Sequence, residues 1–233
     1  MFRQELTERS PLRIFERSIH GGLGPGNIGV AVGRAGVGKT AFLVGVALDY
    51  LLRGRKVLHV ALDQPVEKVR EYYDEIFQDL ARTSALEAAD RERREMERNR
   101  YIHACLPGTF SAEKLRETVG FLQEHTRFSP EALVVDGYDF SVALPADLEQ
   151  LRQVARDLDV ELWMSAVMHR DARRNARGVP EPVVRVEDVL SVIVSMAHDG
   201  RAVHVRLLKD HDNPEVSEAG IALNPTTMLL MRE

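Results

Sequence analysis

One stretch of eight residues constrains this chain more than any other. It reads Gly33, Arg34, Ala35, Gly36, Val37, Gly38, Lys39 and Thr40. The spacing fits G-x-x-x-x-G-K-[ST], the phosphate-binding pattern called Walker A. The three glycines are expected to take positive φ, so that the backbone turns tightly and successive N–H groups point into one concavity. The lysine supplies a cation for the outer phosphates, and the threonine hydroxyl can join the coordination shell of Mg²⁺.

The segments on either side of this octet decide between a phosphate site and an ordinary surface turn. Residues 28–32 form a short, fully apolar run that predicts a buried strand, and residues 41–52 form an apolar run of helix length. A strand, a loop and a helix in this order place bound phosphates at a helix N-terminus, where the helix dipole favours anions. The sequence therefore predicts nucleotide binding by the octet and by Ala41, which follows it directly.

Composition limits the remaining classes of protein. The chain has 233 residues, of which 44% are hydrophobic and 29% are charged, as expected for a soluble globular domain. A net charge of −5 argues against a surface coated with basic residues for nucleic acid. The best apolar run is interrupted by Asp49, so we expect no membrane span and a cytoplasmic location. Residues 1–10 are polar and predict a flexible arm before a single domain at 11–233.

Apolar runs and helical patterns alternate along that domain. We predict strands at 28–32, 56–62, 101–106, 132–136 and 160–168, and helices at 41–52, within 66–100, at 111–125 and at 147–158. Beyond residue 188, pairs of short apolar runs separated by turn residues predict antiparallel hairpins. This order indicates an α/β fold with a mostly parallel central sheet, flanked by helices and extended by C-terminal hairpins.

A second element of a nucleotide site follows from the apolar run at 132–136. It ends in Asp136, as in Walker B, whose carboxylate holds Mg²⁺ at the end of a neighbouring strand. Apolar strands that end in Asp are common, but the predicted strands between the two motifs leave room for a strand inserted between them. The base-reading motif Asn-Lys-x-Asp of GTPases does not occur in the sequence, which favours ATP together with Mg²⁺.

Hydrolysis of ATP at such a site needs a carboxylate that orients the attacking water. In one large branch of inserted-strand ATPases this acid directly follows the Walker B acid, but Gly137 stands at that position here. Asp63, at the end of the second predicted strand, can face the γ-phosphate instead. The alternative is that Asp63 and Pro65 merely terminate the strand. Lys39 and Asp63 are therefore the candidate catalytic residues.

Several stretches together resemble RecA-fold P-loop ATPases, and the KaiC-like and DnaB-like branch in particular. They are the glycine-rich lead-in at 21–26, the octet, the run Leu62-Asp63-Gln64-Pro65 and the run at 133–136. The similarity continues through Leu207-Leu208-Lys209-Asp210-His211, which is similar to the Lys-x-Arg motif of that family. The resemblance spans about residues 11–232 and implies one RecA-like domain that binds ATP and Mg²⁺.

The departures from the family pattern near the γ-phosphate imply slow chemistry. The catalytic glutamates of the family correspond to Asp63 and Gln64, so the carboxylate is one methylene shorter and its neighbour is uncharged. The polar residue that many members carry on the fifth strand falls on Val167, unless Ser165 or His169 substitutes for it. The resemblance thus implies a slow ATPase, or a switch that reads ATP more than it consumes it.

The Lys-x-Arg motif of the family lets a neighbouring subunit reach the γ-phosphate. Lys209 retains the lysine, but His211 replaces the arginine and carries only fractional charge at neutral pH. On a strand, residues two apart share a face, so we expect both side chains to point the same way. The resemblance implies a homo-oligomer, for instance a hexamer, or a protein partner, with Lys209 and His211 as the candidate interface contacts.

A basic loop keeps a second function open. Arg170, Arg173, Arg174 and Arg177 lie in a segment rich in glycine and proline that we expect to be mobile. Arginines on such a loop could hold the phosphates of a nucleic-acid strand, as in a recombinase or helicase core. No aromatic residue accompanies them to stack bases, so nucleic acid is not favoured. Subunit contacts or solubility would explain the same residues.

Overall fold

The computed structural model describes residues 1–106, 108–213 and 215–233. In this part of the chain, the strands are β1 (Ile28–Gly33), β2 (Val57–Ala61), β3 (Arg100–Ala104), β4 (Ala132–Asp136), β5 (Glu161–Val167), β6 (Val192–His198), β7 (Val203–Asp210), β8 (Ile221–Leu223) and β9 (Leu230–Arg232). The helices are α1 (Arg3–Glu8), α2 (Leu12–Ser18), α3 (Lys39–Leu52), α4 (Val66–Thr83), α5 (Ala89–Asn99), α6 (Ala112–Thr126) and α7 (Pro145–Asp157), and a 3₁₀ segment covers Val183–Val189.

The described strands form a single sheet in the order β3-β2-β4-β5-β1-β6-β7-β8-β9. All pairs from β3 to β6 are parallel, whereas β6 to β9 pair antiparallel as C-terminal hairpins. The predicted α/β fold with a mostly parallel sheet and antiparallel C-terminal strands is therefore confirmed. The strands β1, β2 and β4 are buried along their whole length, because helices cover both faces of the parallel part.

Strand β5 lies between β1 and β4. It pairs with β1 through Ile28 opposite Leu162 and with β4 through Val134 opposite Trp163, in parallel on both sides. A strand is therefore inserted between the octet strand β1 and the Asp136 strand β4, but it is not one of the two strands that separate the motifs in the sequence, because β2 and β3 lie beyond β4. The inserted strand follows Asp136 along the chain.

Side chains along each strand point alternately to the two faces of the sheet, and a hydrophobic core lies on each face. In β1, Ala31 belongs to the core shared with helices α1 to α5, whereas Val30 and Val32 belong to the core shared with α6, α7 and the 3₁₀ segment. This arrangement follows from the period of two in strands, which sends neighbouring side chains to opposite faces. Helix α3 packs on the first face. Because the octet joins the carboxyl end of β1 directly to α3, the N-terminus of this helix lies at the carboxyl ends of the parallel strands.

The first ten residues, expected to form a flexible arm, contain helix α1. Leu6 packs into the first core, and Arg3 forms ion pairs with Glu92 and Glu95 of helix α5. The N-terminal amine donates to the carbonyl of Ala85 at 2.9 Å. Polar composition alone did not reveal this helix, since a single buried leucine and contacts with residues far along the chain hold it in place.

Membrane-crossing helices are not found among residues 1–106, 108–213 and 215–233. None of the helices there combines the length with the apolar character that a bilayer crossing requires.

Close packing between β1 and β5 yields a stability prediction. A Cβ at Gly29 would lie 2.7 Å from ring atoms of Trp163, whereas a Cβ at Gly120 in helix α6 would meet nothing within 4 Å. We expect Gly29→Ala to lower the free energy of unfolding by about 1–3 kcal/mol through overpacking. The matched Gly120→Ala should raise it by about 0.5–1 kcal/mol. Urea unfolding of both variants checks this, and equal effects would contradict it.

Candidate functional site

The octet connects β1 directly to α3 and turns at two of its three glycines. Gly36 and Gly38 have φ of 75° and 102°, a region that favours glycine. Gly33 does not take positive φ as expected; instead, a Cβ there would lie 2.7 Å from Val37 Cγ1 and 2.9 Å from the carbonyl oxygen of Met196. Gly33 is thus required by close packing, and the other two glycines are required by the turn.

Lys39 begins helix α3 and points back across the octet. Its ammonium group donates to the carbonyl oxygens of Gly33 at 3.2 Å and of Arg34 at 2.9 Å. Burial lowers the pKa of Lys39, while the nearby Asp136 and Asp63 carboxylates act in the opposite direction. The N–H groups of the first helical turn have no partners within the helix. The loop therefore presents a buried ammonium group and a helix N-terminus to the same space.

Asp136 connects the octet helix with the sheet. It ends β4 and is buried, and its Oδ2 accepts a hydrogen bond of 2.7 Å from the hydroxyl of Thr40. Its Oδ1 accepts from the hydroxyl of Ser165 on β5. Ser165 also accepts from the N–H of Gly137 at 2.9 Å, so that one hydroxyl fixes both the carboxylate and the following turn.

Ser165 is the polar residue of the fifth strand that touches the site. Val167 is 49% exposed and His169 is exposed, whereas Ser165 is buried against Asp136. The sequence left these three positions open. The sequence does not distinguish them, because only the pairing of β5 with β4 places residue 165 next to the end of β4.

Asp63 lies at the same edge of the sheet, two residues beyond β2. Its carboxyl carbon would lie 2.5 Å from a Cβ at Gly137, so the two loops touch. The N–H of Leu62 donates to the carbonyl of Asp136 at 2.9 Å and holds the end of β2 against β4. Although Asp63 reaches solvent, partial burial raises its pKa, and the Asp136 carboxylate raises it further. The backbone N–H of Asp63 and the Lys39 ammonium oppose this shift.

The residues at this edge fit a magnesium ion with phosphate. The Thr40 hydroxyl and the Asp136 carboxylate are hard oxygen donors, which Mg²⁺ prefers, and Mg²⁺ keeps several waters when it binds phosphates. Among the described residues, no group of three or more His, Cys, Asp or Glu side chains is arranged to hold a metal by itself. Any ion here would therefore complete its shell with phosphate oxygens and water.

Lys209 and His211 do not share a face in this structure. Strand β7 ends at Asp210, and His211 has a φ of 50°, which interrupts the alternation of side chains. The Lys209 ammonium donates to the carbonyl of Glu187 at 2.8 Å, and burial lowers its pKa. His211 Nε2 instead lies 2.9 Å from the carbonyl oxygen of Leu23. Both side chains thus contact their own chain, in different places.

The basic loop is built around hydrogen bonds within its own segment. The N–H of Asn175 donates to the carbonyl of Val179 at 3.0 Å, and Arg174 donates to the carbonyl of Gly178 at 2.8 Å. Arg177 pairs with the buried Glu187 at 3.1 Å. Arg170 and Arg173 are exposed.

Glu187 is the residue of this region that the sequence did not single out. Its carboxylate accepts from Asn175 at 2.6 Å and from Arg177 at 3.1 Å, and its carbonyl accepts from Lys209. It therefore links the basic loop to the end of β7. The available signal for this role was a carboxylate among valines in the segment 183–190, because a charge that is buried with its neighbours requires partners.

No protein-family model matches this sequence, and no curated protein matches it. The chemistry of the site has to be inferred from its own residues.

The surroundings of Asp63 predict how stability depends on pH. Because its pKa is raised in the folded protein, stability decreases as the pH rises through the Asp63 titration. We expect Asp63→Asn to be more stable than the wild type at pH 7, and the difference to shrink toward pH ~4. Urea midpoints at both values check this, with the exposed Asp171→Asn as control. A difference that does not change with pH would contradict the prediction.

Proposed function

We propose that this chain is an ATP-binding P-loop ATPase of the RecA fold, related to the KaiC-like branch. The proposal rests chiefly on the contact between the Thr40 hydroxyl and the Asp136 carboxylate at 2.7 Å. These residues are 96 positions apart, yet they meet at the first turn of the helix that follows the glycine loop. A hydroxyl and a carboxylate in this arrangement are what a phosphate-bound Mg²⁺ requires.

The sheet order supports the assignment. Strand β5 separates β1 from β4, as in inserted-strand ATPases, and β2 brings Asp63 alongside Gly137. The missing Asn-Lys-x-Asp motif favours adenine over guanine nucleotides. The KaiC-like assignment adds the glycine-rich lead-in at 21–26, in which Gly21, Gly22, Gly24 and Gly26 all take positive φ.

Each residue of the edge has a role in this proposal. The backbone N–H groups of Gly36, Gly38 and Ala41 would hold the phosphates, and the Lys39 ammonium, which now donates to two carbonyls, would supply a cation for them. Mg²⁺, when bound, offsets the charge of the β- and γ-phosphates. Ser165 donates to one oxygen of the Asp136 carboxylate and so keeps the other oxygen turned toward the Thr40 hydroxyl.

Asp63 would orient the attacking water and accept its proton. Its carboxylate is one methylene shorter than a glutamate, so the base reaches less far toward a water at the γ-phosphate. We therefore propose slow hydrolysis and a regulatory or assembly role. The output would be ATP-dependent self-association, for instance as a hexamer, or binding of a protein partner.

A nucleic-acid-dependent ATPase remains the second candidate. The exposed Arg170 and Arg173 lie in the loop that follows β5, at the same edge of the sheet as the octet. Arg177, however, is ion-paired with Glu187, which leaves one cation fewer for a phosphate backbone. Strong stimulation of ATP hydrolysis by single-stranded DNA would favour this candidate over the first.

Lys39 provides the direct test of ATP binding. We expect Lys39→Ala to weaken Mg·ATP affinity by about 10- to 100-fold or more, since hydrogen bonds to charged groups contribute about 1.5–3 kcal/mol each. Lys56→Ala is the matched control, because Lys56 donates to the carbonyl of Arg127 on an exposed surface. Isothermal titration calorimetry measures both. Wild-type affinity in Lys39→Ala would refute the proposed function.

Asp63 provides the test of hydrolysis. Asp63→Asn should keep the ATP affinity within a few-fold of wild type and lower the turnover about 100-fold, the usual range for loss of a general base. Asp63→Glu restores the longer side chain and should raise the turnover. Phosphate release under single-turnover conditions measures the rates. An unchanged rate in Asp63→Asn would assign the water-orienting role to another group.

A further inference from the structure

A cavity of about 660 Å³ opens directly beside the candidate phosphate site. It lies beyond the carboxyl ends of β2, β3 and β4, and Asp63 and Gly137 form part of its wall. The same two residues also border the candidate phosphate site. There, the N–H of Gly137 donates to the Ser165 hydroxyl, and the Lys39 ammonium acts on the pKa of Asp63. The volume is that of a site for a small organic molecule. A ligand in this cavity would therefore lie next to the groups that face the γ-phosphate.

Aromatic side chains form a fixed wall of the cavity. The Phe110 and Tyr138 rings meet edge to face with centroids 6.1 Å apart, and Tyr138 packs edge to face on the buried Phe140 at 5.1 Å. Packing from both sides holds the Tyr138 ring in place. Aromatic faces attract cations and apolar groups alike.

The charged groups of the cavity wall are all acidic. Asp63, Asp139 and Asp147 line it, and no Lys, Arg or His belongs to the described lining. Asp139 Oδ1 accepts from the N–H of Ser141, and Asp147 Oδ2 accepts from the N–H of Leu144, so these bonds use one oxygen of each carboxylate. The pKa of Tyr138 is raised by burial first and then by the charges of Asp147 and Asp139.

The rim of the cavity is apolar and open to solvent. Leu106 is 75% exposed and Val142 is 73% exposed, although both are large hydrophobic side chains at its mouth. Exposed apolar side chains grouped at a cavity indicate a binding surface more often than scattered ones do. Asp63, Asp139 and Asp147 are exposed as well, so the opening of the cavity presents carboxylates beside apolar side chains.

We infer that this cavity is a second ligand site, for a small organic cation that carries an amine or guanidinium group on an aromatic or aliphatic body. The cationic group lies among the carboxylates and against the aromatic wall, and the body packs on the apolar rim. The link to ATP rests on the proposed function: because Asp63 borders both sites, a ligand in the cavity and a nucleotide on the octet alter each other's affinity by the same factor.

The test uses phenethylguanidinium as the probe and the neutral phenethylurea as its isostere. Titration of the wild-type protein without nucleotide should show at least about 10-fold tighter binding of the cation, which corresponds to about 1.4 kcal/mol. The double variant Asp139→Asn/Asp147→Asn should remove this preference, and Asn still accepts the hydrogen bonds that hold the two turns. The pair Asp171→Asn/Asp188→Asn, on exposed carboxylates outside the cavity, is the matched control.

Equal affinity for cation and isostere, no binding of either, or a preference that survives in the double variant would overturn the inference. The unfolding midpoint of the double variant establishes that it folds. A second titration with Mg·ATP present should shift the affinity for the cation in the wild type, and an unchanged affinity would overturn the link to Asp63. Lys39→Ala should still bind the cation, so failure of the ATP site and failure of the cavity are distinguishable.

Discussion

The chain of hydrogen bonds from Thr40 through Asp136 to Ser165 is the contact on which the site depends. It joins the first turn of α3 to the ends of β4 and β5, three elements that are distant in sequence. Both oxygens of a buried carboxylate are engaged, so the charge is stabilised where an isolated one would be costly to bury. These contacts tie the helix that follows the glycine loop to the ends of the strands beside it.

The parallel arrangement of the strands concentrates charge at one edge. Because β2, β4 and β1 all end there, Asp63, Asp136 and the Lys39 ammonium come within electrostatic reach of each other. Burial and the Asp136 carboxylate raise the pKa of Asp63, and the lysine offsets this only in part. A bound magnesium nucleotide would add charge to the same edge. If the proposed function holds, protonation of Asp63 and binding of a nucleotide would therefore be coupled.

The same edge carries two further surfaces with different chemistry. Beyond β2, β3 and β4 lies the acidic and aromatic cavity that includes Tyr138 and Asp147, and beyond β5 lies the basic loop. Glu187 fixes the second surface internally, since it binds Arg177 through its side chain and Lys209 through its carbonyl. Of the four arginines of the basic loop, Glu187 thus neutralises Arg177.

The sequence by itself determined the elements, because their signals are local. Apolar runs and helical spacing predicted most strands and helices to within a few residues, and the spacing of the octet correctly predicted positive φ at Gly36 and Gly38 but was wrong about Gly33. Tertiary structure decided what depends on pairing between distant segments: that β5 is the inserted strand, that Ser165 meets Asp136, and that α1 packs on the core. It also separated Lys209 from His211, since regular strand alternation ends where the backbone enters the left-handed region. Local pattern fixes which face a side chain takes within an element, but only packing fixes which element lies opposite.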